Sequence, residues 1–387
     1  MNRAPAISII VLAGVAASAA LWASSWRGVD PAGTAATANP GTPFFPQLVA
    51  KGDSAARIVV ARAEGSFTVR LDSGVWRVVE KANYPARLET VRSVLVGLSQ
   101  LRGAEAKTSR PENFGKLGLE DPVTAVAGSA AGPGGASIPR STLVTVSTAD
   151  GVVLASAIVG DTRWGTPPGT YLRRVGESQA YLVAGRVEVP HEATQWLQAT
   201  IAGVDKERVR SVDVTRSSGE PLSVSRGRPG ESFTLAGVPT GRELRDPSFA
   251  DQLAGLLSST TLQDVRPAAE VDFTAGDGPE ARIVTTARVR TFDGLVVAVE
   301  AMPKDGRTWW RLSASVDESV EGLRPADAPA DALPTTALEA IRKQASDLDA
   351  RWAGYAYAPA EAKGRLLNLR LADLLRDVPL DGGAGPG

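Results

Sequence analysis

The chain has 387 residues, hydrophobic side chains make up 43% of them, and Lys+Arg 42 against Asp+Glu 43 leaves a net charge of -1. That length exceeds one ordinary core and predicts two domains, and the near-zero charge offers no overall basic field to recruit nucleic acid or anionic lipid. There is no cysteine, which excludes disulfides, thiolate nucleophiles and Cys-ligated metals.

Ala4–Ala23 is almost wholly apolar and matches the roughly 20 helical residues that a bilayer core of about 30 Å requires. Arg3 precedes it, and Trp22 and Trp26 stand where an interfacial aromatic belt would fall. The expectation is a single transmembrane anchor over 1–26, lying in the inner membrane with the body in the periplasm. The alternative is a secretory signal cleaved near Ser18-Ala19-Ala20 or Ala23-Ser24-Ser25. Residues 27–54, rich in Gly, Pro, Ala and Thr, read as a tether. Within it, Pro43-Phe44-Phe45-Pro46-Gln47-Leu48 is an apolar patch expected to pack on the body.

Strand-like runs follow at Arg57–Ala63, Ser66–Leu71 and Val75–Val79, with Asp72-Ser73-Gly74 as the turn before the last. Pro85 then opens a predicted helix. Its apolar stripe is Leu88, Val91, Val94, Leu95, Leu98 and Leu101. Ala125–Pro139 is a low-complexity loop, after which Thr142–Ser147, Val152–Val159, Thr170–Arg174 and Gln179–Val183 read as strands. The order then repeats. Strands are predicted at Arg208–Arg216, Pro221–Ser225 and Ser232–Leu235. Asp246-Pro247 opens a helix with Phe249, Leu253, Leu256 and Leu257 on one face, Asp246 being its expected N-cap. Arg282–Arg290, Leu295–Ala301 and Thr308–Ser313 follow as strands.

The fold class is therefore α+β: two β-β-β-α-β-β-β units with antiparallel sheets, at 55–200 and 201–330. A C-terminal helical segment over 331–380 and a disordered tail over 381–387 complete the chain. Within that segment helices are expected near Pro334–Arg351 and Leu366–Leu375.

Most catalytic motifs fail on inspection. His191 is the only histidine, and Pro190-His191-Glu192-Ala193-Thr194-Gln195 departs from the H-E-x-x-H zinc helix because Gln195 replaces the second imidazole. His191 is instead expected to start a helix whose Trp196 and Leu197 face inward. No G-x-S-x-G elbow is present, Ser137 breaks a possible G-x-G-x-x-G at Gly132, and Arg110 breaks a P-loop ending in Gly115-Lys116. No cofactor is implied. Paired carboxylates acting on glycan need no local motif and stay open. The loop Gly160–Tyr171 is the most distinctive. Asp161, Trp164, Tyr171 and Arg173 are its candidate contact residues, and Trp164 with Tyr171 could hold a polysaccharide. The favoured reading is structural, a cap on the open end of a sheet, because loop glycines and prolines mostly serve turn geometry. Trp309-Trp310, inside a strand, should place one ring on each face of the sheet, one in the core and the other at an interface.

Several short motifs recur in a familiar order. They are Phe45-Pro46-x-Leu48, Trp76, Tyr84-Pro85-Ala86, Leu117-Gly118-Leu119-Glu120-Asp121-Pro122, Ile158-Val159-Gly160-Asp161 and Thr170-Tyr171-Leu172-Arg173. Trp352 to Tyr357 and Leu371-Ala372-Asp373-Leu374-Leu375 close the series. From about Phe44 to Leu375 the chain resembles the bacterial envelope family called domain of unknown function 4340. Leu172 stands where that family usually has valine, and Ala125–Pro139 is an unusual insertion. The resemblance implies a partner among ABC-type exporters, including gliding-motility auxiliary transporters, and supplies no catalytic residue. The expected function is a non-catalytic, membrane-anchored periplasmic subunit contacting an ABC-transporter permease. The alternatives are an envelope glycan hydrolase using two acids and a passive polysaccharide-binding module.

Overall fold

The computed structural model describes residues 38–122, 140–217, 221–274, 284–320 and 335–377. The expected anchor with Trp22 and Trp26, the loop over 125–139 and the tail over 381–387 lie outside the described residues. Among the described residues no helix is long and apolar enough to cross a membrane.

The chain divides into two compact units. One takes the chain up to Arg77 together with Leu88–His191, and the other takes Val78–Arg87 together with the chain from Glu192. The second unit therefore begins before the expected 200/201 boundary and also takes in an earlier ten-residue stretch. Backbone pairing is the reason. Arg87 N donates to Trp196 O at 2.7 Å and Gln198 N to Pro85 O at 2.9 Å, with an antiparallel bridge between Ala86 and Leu197.

In the first unit the strands are β1 (Ala38–Pro43), β2 (Ala55–Arg62), β3 (Gly65–Asp72), β4 (Val75–Val78), β6 (Arg102–Thr108), β7 (Thr142–Thr148), β8 (Val153–Arg163), β9 (Gly169–Arg174) and β10 (Ala180–Ala184); the two-residue β5 (Tyr84–Pro85) falls in the segment that belongs to the second unit. The sheet order runs β1-β6-β10-β9-β8-β7-β2-β3-β4, with antiparallel pairing from β1 through to β3. Alternation explains the buried positions: Ile58, Val60, Val69, Val144 and Val146 are each fully or almost fully enclosed. The expected tether is shorter than 27–54. From Ala38 the chain is already strand, and helix α1 (Pro46–Lys51) follows. Phe44, Phe45 and Leu48 are buried, which is why this stretch holds a fixed structure. Helix α2 (Leu88–Gln100) starts three residues after Pro85 and buries Val91, Val94 and Leu98, while Leu88 stays exposed.

The second unit repeats the plan. Its strands are β11 (Thr200–Ala202), β12 (Val209–Arg216), β13 (Leu222–Ser225), β14 (Thr234–Leu235), β15 (Arg242–Leu244), β16 (Thr260–Pro267), β17 (Thr285–Thr291), β18 (Leu295–Lys304), β19 (Arg307–Val316), β20 (Tyr355–Pro359) and β21 (Leu375–Asp377). The large sheet runs β11-β16-β20-β19-β18-β17-β12-β13-β14, and β15 pairs with β21 apart from it. Strand for strand this is the order of the first sheet. Helix α3 (Phe249–Ala254) takes the place of α2 and buries Phe249 and Leu253. Its N-cap is Ser248, not Asp246. Asp246 Oδ1 instead accepts from the Ser248 N–H and hydroxyl at 2.9 and 2.7 Å, and these donors hold its carboxyl below the usual range.

The stretch after 330 is not helical throughout. Helices α4 (Thr335–Trp352), α5 (Glu361–Leu366) and α6 (Leu371–Leu374) are present, but β20 lies between α4 and α5 and pairs with β16 and β19. The second unit closes only with this strand, so it extends well past residue 330. Trp309 and Trp310 are both fully buried. Trp309 packs with Val271, Phe273 and Met302, and α4 lies along β19. The 78–87 segment is fixed in this unit by side chains as well. Lys81 Nζ reaches Asp264 Oδ1 at 2.6 Å, and the Tyr84 ring meets Tyr355 and Tyr357 edge-on at 5.2 and 5.9 Å.

Candidate functional site

The motifs Leu117–Pro122, Ile158–Asp161 and Thr170–Arg173 converge in the first unit on one piece of packing. A 3-10 turn, Pro111–Leu117, ends at Gly118 in the left-handed region (φ 64), where Leu119 N donates to Phe114 O at 2.9 Å. Gly160 on β8 lies under this turn: a Cβ there would come within 2.2 Å of Leu117 O. Glycine at 160 is therefore a requirement of close backbone approach. Asp161 Oδ1 lies against Gly118, and its Oδ2 accepts from Arg140 at 3.2 Å.

Arg173 does not serve as a contact residue. It is 7% exposed, donates from Nε and Nη2 to Leu119 O at 3.3 and 3.2 Å, donates from Nη1 to Glu177 O at 3.1 Å, and stacks 4.7 Å over Phe114. Strand alternation turns it inward with Tyr171, which is half-buried against the cluster of Phe114, Leu119, Leu143 and Ile158. Burial lowers the Arg173 pKa, and the nearby Asp121 charge opposes that shift. Of the four candidates, Trp164 alone stands out in solvent, with the Arg186 guanidinium 4.7 Å over its ring.

His191 is exposed, and a 3-10 turn begins only at Ala193, capped by Glu192. Trp196 and Leu197 do face inward. No group of three or more His, Cys, Asp or Glu able to hold a metal occurs among the described residues.

A second surface, which sequence reasoning missed, lies on β12, β13 and β17 of the second unit. A shallow depression of about 390 Å³ is lined by Arg210, Ser211, Asp213, Ser223, Ser225, Arg290 and Asp317 among others, and a neighbouring one shares Arg210, Ser211 and Ser225 with it. Cross-strand register builds the floor: Ser211 faces Ser225, Asp213 faces Ser223, and Arg290 faces Ser211. Asp213 is engaged by the Ser223 hydroxyl at 2.6 Å and by Arg290. Asp317 accepts from the Ser319 hydroxyl and N–H at 2.6 and 3.1 Å, which holds its carboxyl below the usual range. The Arg210 guanidinium has no hydrogen-bond partner among the described residues. The alternating serines were the available signal, but alternation also describes any half-exposed strand.

The family model "Domain of unknown function (DUF4340)" matches residues 76–278, just over half of the chain. The chain belongs to this family. The match takes in α2, the Leu117–Pro122 and Ile158–Asp161 packing, Trp164 and the start of the second sheet. No curated protein and no solved structure matches the chain.

Proposed function

We propose that this chain is a non-catalytic accessory subunit, tethered to the inner membrane by Ala4–Ala23 with its body in the periplasm, that binds a permease or cargo of an ABC-type transport system. The observation that carries the reading is the state of the groove on β12, β13 and β17. Its acids are already engaged by intramolecular donors, while Arg210 makes no hydrogen bond among the described residues and acts on Asp317 only through its charge. Such a surface is suited to holding a polar partner. The family resemblance supplies the transport context, and a tether raises the effective concentration of the body near any partner in the same bilayer.

One feature favours a second reading, a glycan hydrolase: Asp213 and Asp317 line the same groove. Such an enzyme needs one carboxyl held protonated as general acid, whereas the Ser319 donors push Asp317 the other way.

Gentle detergent extraction of the tagged, natively expressed protein, followed by mass spectrometry, tests the first reading. A permease and its ATPase recovered in fixed ratio support it; a solitary protein removes it. Product released from cell-wall material by the full chain and lost in Asp213→Asn or Asp317→Asn would establish the second.

A further inference from the structure

The hairpin between β8 and β9 ends in five exposed residues, Trp164 to Pro168, none of them charged. At 72% exposure, Trp164 is the most open large hydrophobic side chain among the described residues, the next being Val96 at 48%. The tip is held in place: Gly185 N donates to Pro168 O at 3.0 Å, two prolines restrict the turn, and Arg186 covers one face of the indole. Guanidinium groups accompany the tip. Arg163 is exposed at the end of β8, Arg186 pairs with Glu188, and Arg140 pairs with Asp161.

The tip thus carries an exposed indole and two prolines with arginine beside them, Arg186 on the ring itself and Arg163 next to it in sequence. That is the chemistry of a lipid–water interface, where Trp rings sit at headgroup level and Arg heads reach phosphates. A protein hot spot would instead carry a surrounding rim that keeps water out. Here the sequence neighbours of the ring, Arg163 and Gly165 to Pro168, are all exposed and include no large apolar side chain.

We infer that the Trp164–Pro168 tip inserts into the headgroup layer of the membrane that carries the chain. The inference rests on the tethered reading above, because one indole binds a bilayer weakly and needs the high local concentration that an anchor provides. Three arginines (Arg140, Arg163, Arg186) against two acids (Asp161, Glu188) leave one net positive charge. Anionic lipid therefore strengthens the contact without being required for it.

The absence of cysteine makes the test direct. Thr166→Cys in the full-length chain, labelled with an environment-sensitive fluorophore, reports on the tip alone. Asp150→Cys, in the turn at the other end of β8, is the control. The chain is reconstituted into phosphatidylcholine vesicles, with and without phosphatidylglycerol, and probed with brominated lipids and aqueous iodide. The expected result is quenching by brominated lipid at 166 but not at 150. It should be greater with phosphatidylglycerol and reduced about tenfold by Trp164→Ser, the scale of losing one buried aromatic side chain. Equal iodide access at 166 and 150, with the chain still floating with vesicles, overturns the inference and leaves the tether standing. Protection at 166 in native membranes but not in pure lipid also overturns it, in favour of a protein contact. A chain that does not float with vesicles at all removes the tether and this inference together.

Discussion

The first unit joins β9 to β10 through residues 175–179, whereas the second joins the equivalent β19 to β20 through residues 317–354, which include the 18-residue helix α4. The final strand nevertheless takes the same place in both sheets, between β6 and β9 in one and between β16 and β19 in the other. Strand position therefore follows from edge pairing and side-chain fit, and the connection can lengthen at little cost because loop-closure entropy grows only slowly with length. A second contrast is chemical. Each unit stacks an arginine on a phenylalanine, Arg173 on Phe114 at 4.7 Å and Arg311 on Phe273 at 4.8 Å. Arg173 is buried and bonded to two backbone carbonyls, whereas Arg311 is exposed and paired with Glu300 at 2.5 Å.

The largest effect should come from Gly160→Val. A side chain there meets the Leu117 and Gly118 carbonyls at 2.2 and 2.9 Å, and a loss of about 4 kcal/mol is expected. Hydrogen exchange would then show protection lost in the first unit and retained in the second; loss in both would break the idea of two separate packing units. Arg173→Met should follow at about 3 kcal/mol, because it strands buried carbonyls, while Arg311→Met costs about 0.5 kcal/mol or less at an exposed pair. Equal losses on chemical denaturation would erase the contrast between the two arginines.

The second unit should show an alkaline transition. Burial favours the neutral phenol of Tyr84 and pushes its pKa up to about 12, and it raises that of Tyr357 further. The stabilisation is complete below the ordinary tyrosine pKa near 10 and drains away as pH rises from there through 12, by up to about 3 kcal/mol for Tyr84. Tyrosinate absorbance and unfolding should rise together in that window, and Tyr84→Phe should weaken the dependence. The smallest effect compares two buried indoles. Trp352 Nε1 donates to Ile201 O at 2.9 Å, whereas the Trp310 N–H has no hydrogen-bond partner among the described residues. Trp352→Phe should cost about 2 kcal/mol and Trp310→Phe less than about 1 kcal/mol in thermal melts.

The β-branched, alternating strands were legible in the sequence because each carries its own burial pattern: β2, β3, β7, β8, β12 and β18 fall within a few residues of where they were expected. Strand β6, with the sequence Arg-Gly-Ala-Glu-Ala-Lys-Thr, was not, because its pairing with β1 and β10 sets it and its side chains give no period-two signal. Strand β20 was obscured by the helix before it, which made the surrounding stretch read as helical. At the candidate site the sequence placed Trp164 on an open loop but could not tell Arg173 from it. The two lie nine positions apart, and only the β8–β9 pairing decides which of them faces Phe114. Alternation puts the Trp309 and Trp310 rings on opposite faces and says nothing about what covers each face.

The ten residues Val78–Arg87 also set an order in time. At synthesis rates of about 5–20 residues per second, everything that completes the first sheet, up to Ala184, emerges before the partners of this segment exist. Lys81 waits for Asp264, 183 positions later, and Tyr84 waits for Tyr355 and Tyr357. For roughly ten seconds or more the growing chain carries Tyr84 on an unpaired loop, with the first unit able to form around it. A chaperone that holds that loop, or an export machine that keeps the whole chain unfolded until its last strand has crossed, would spare it from pairing with the wrong edge.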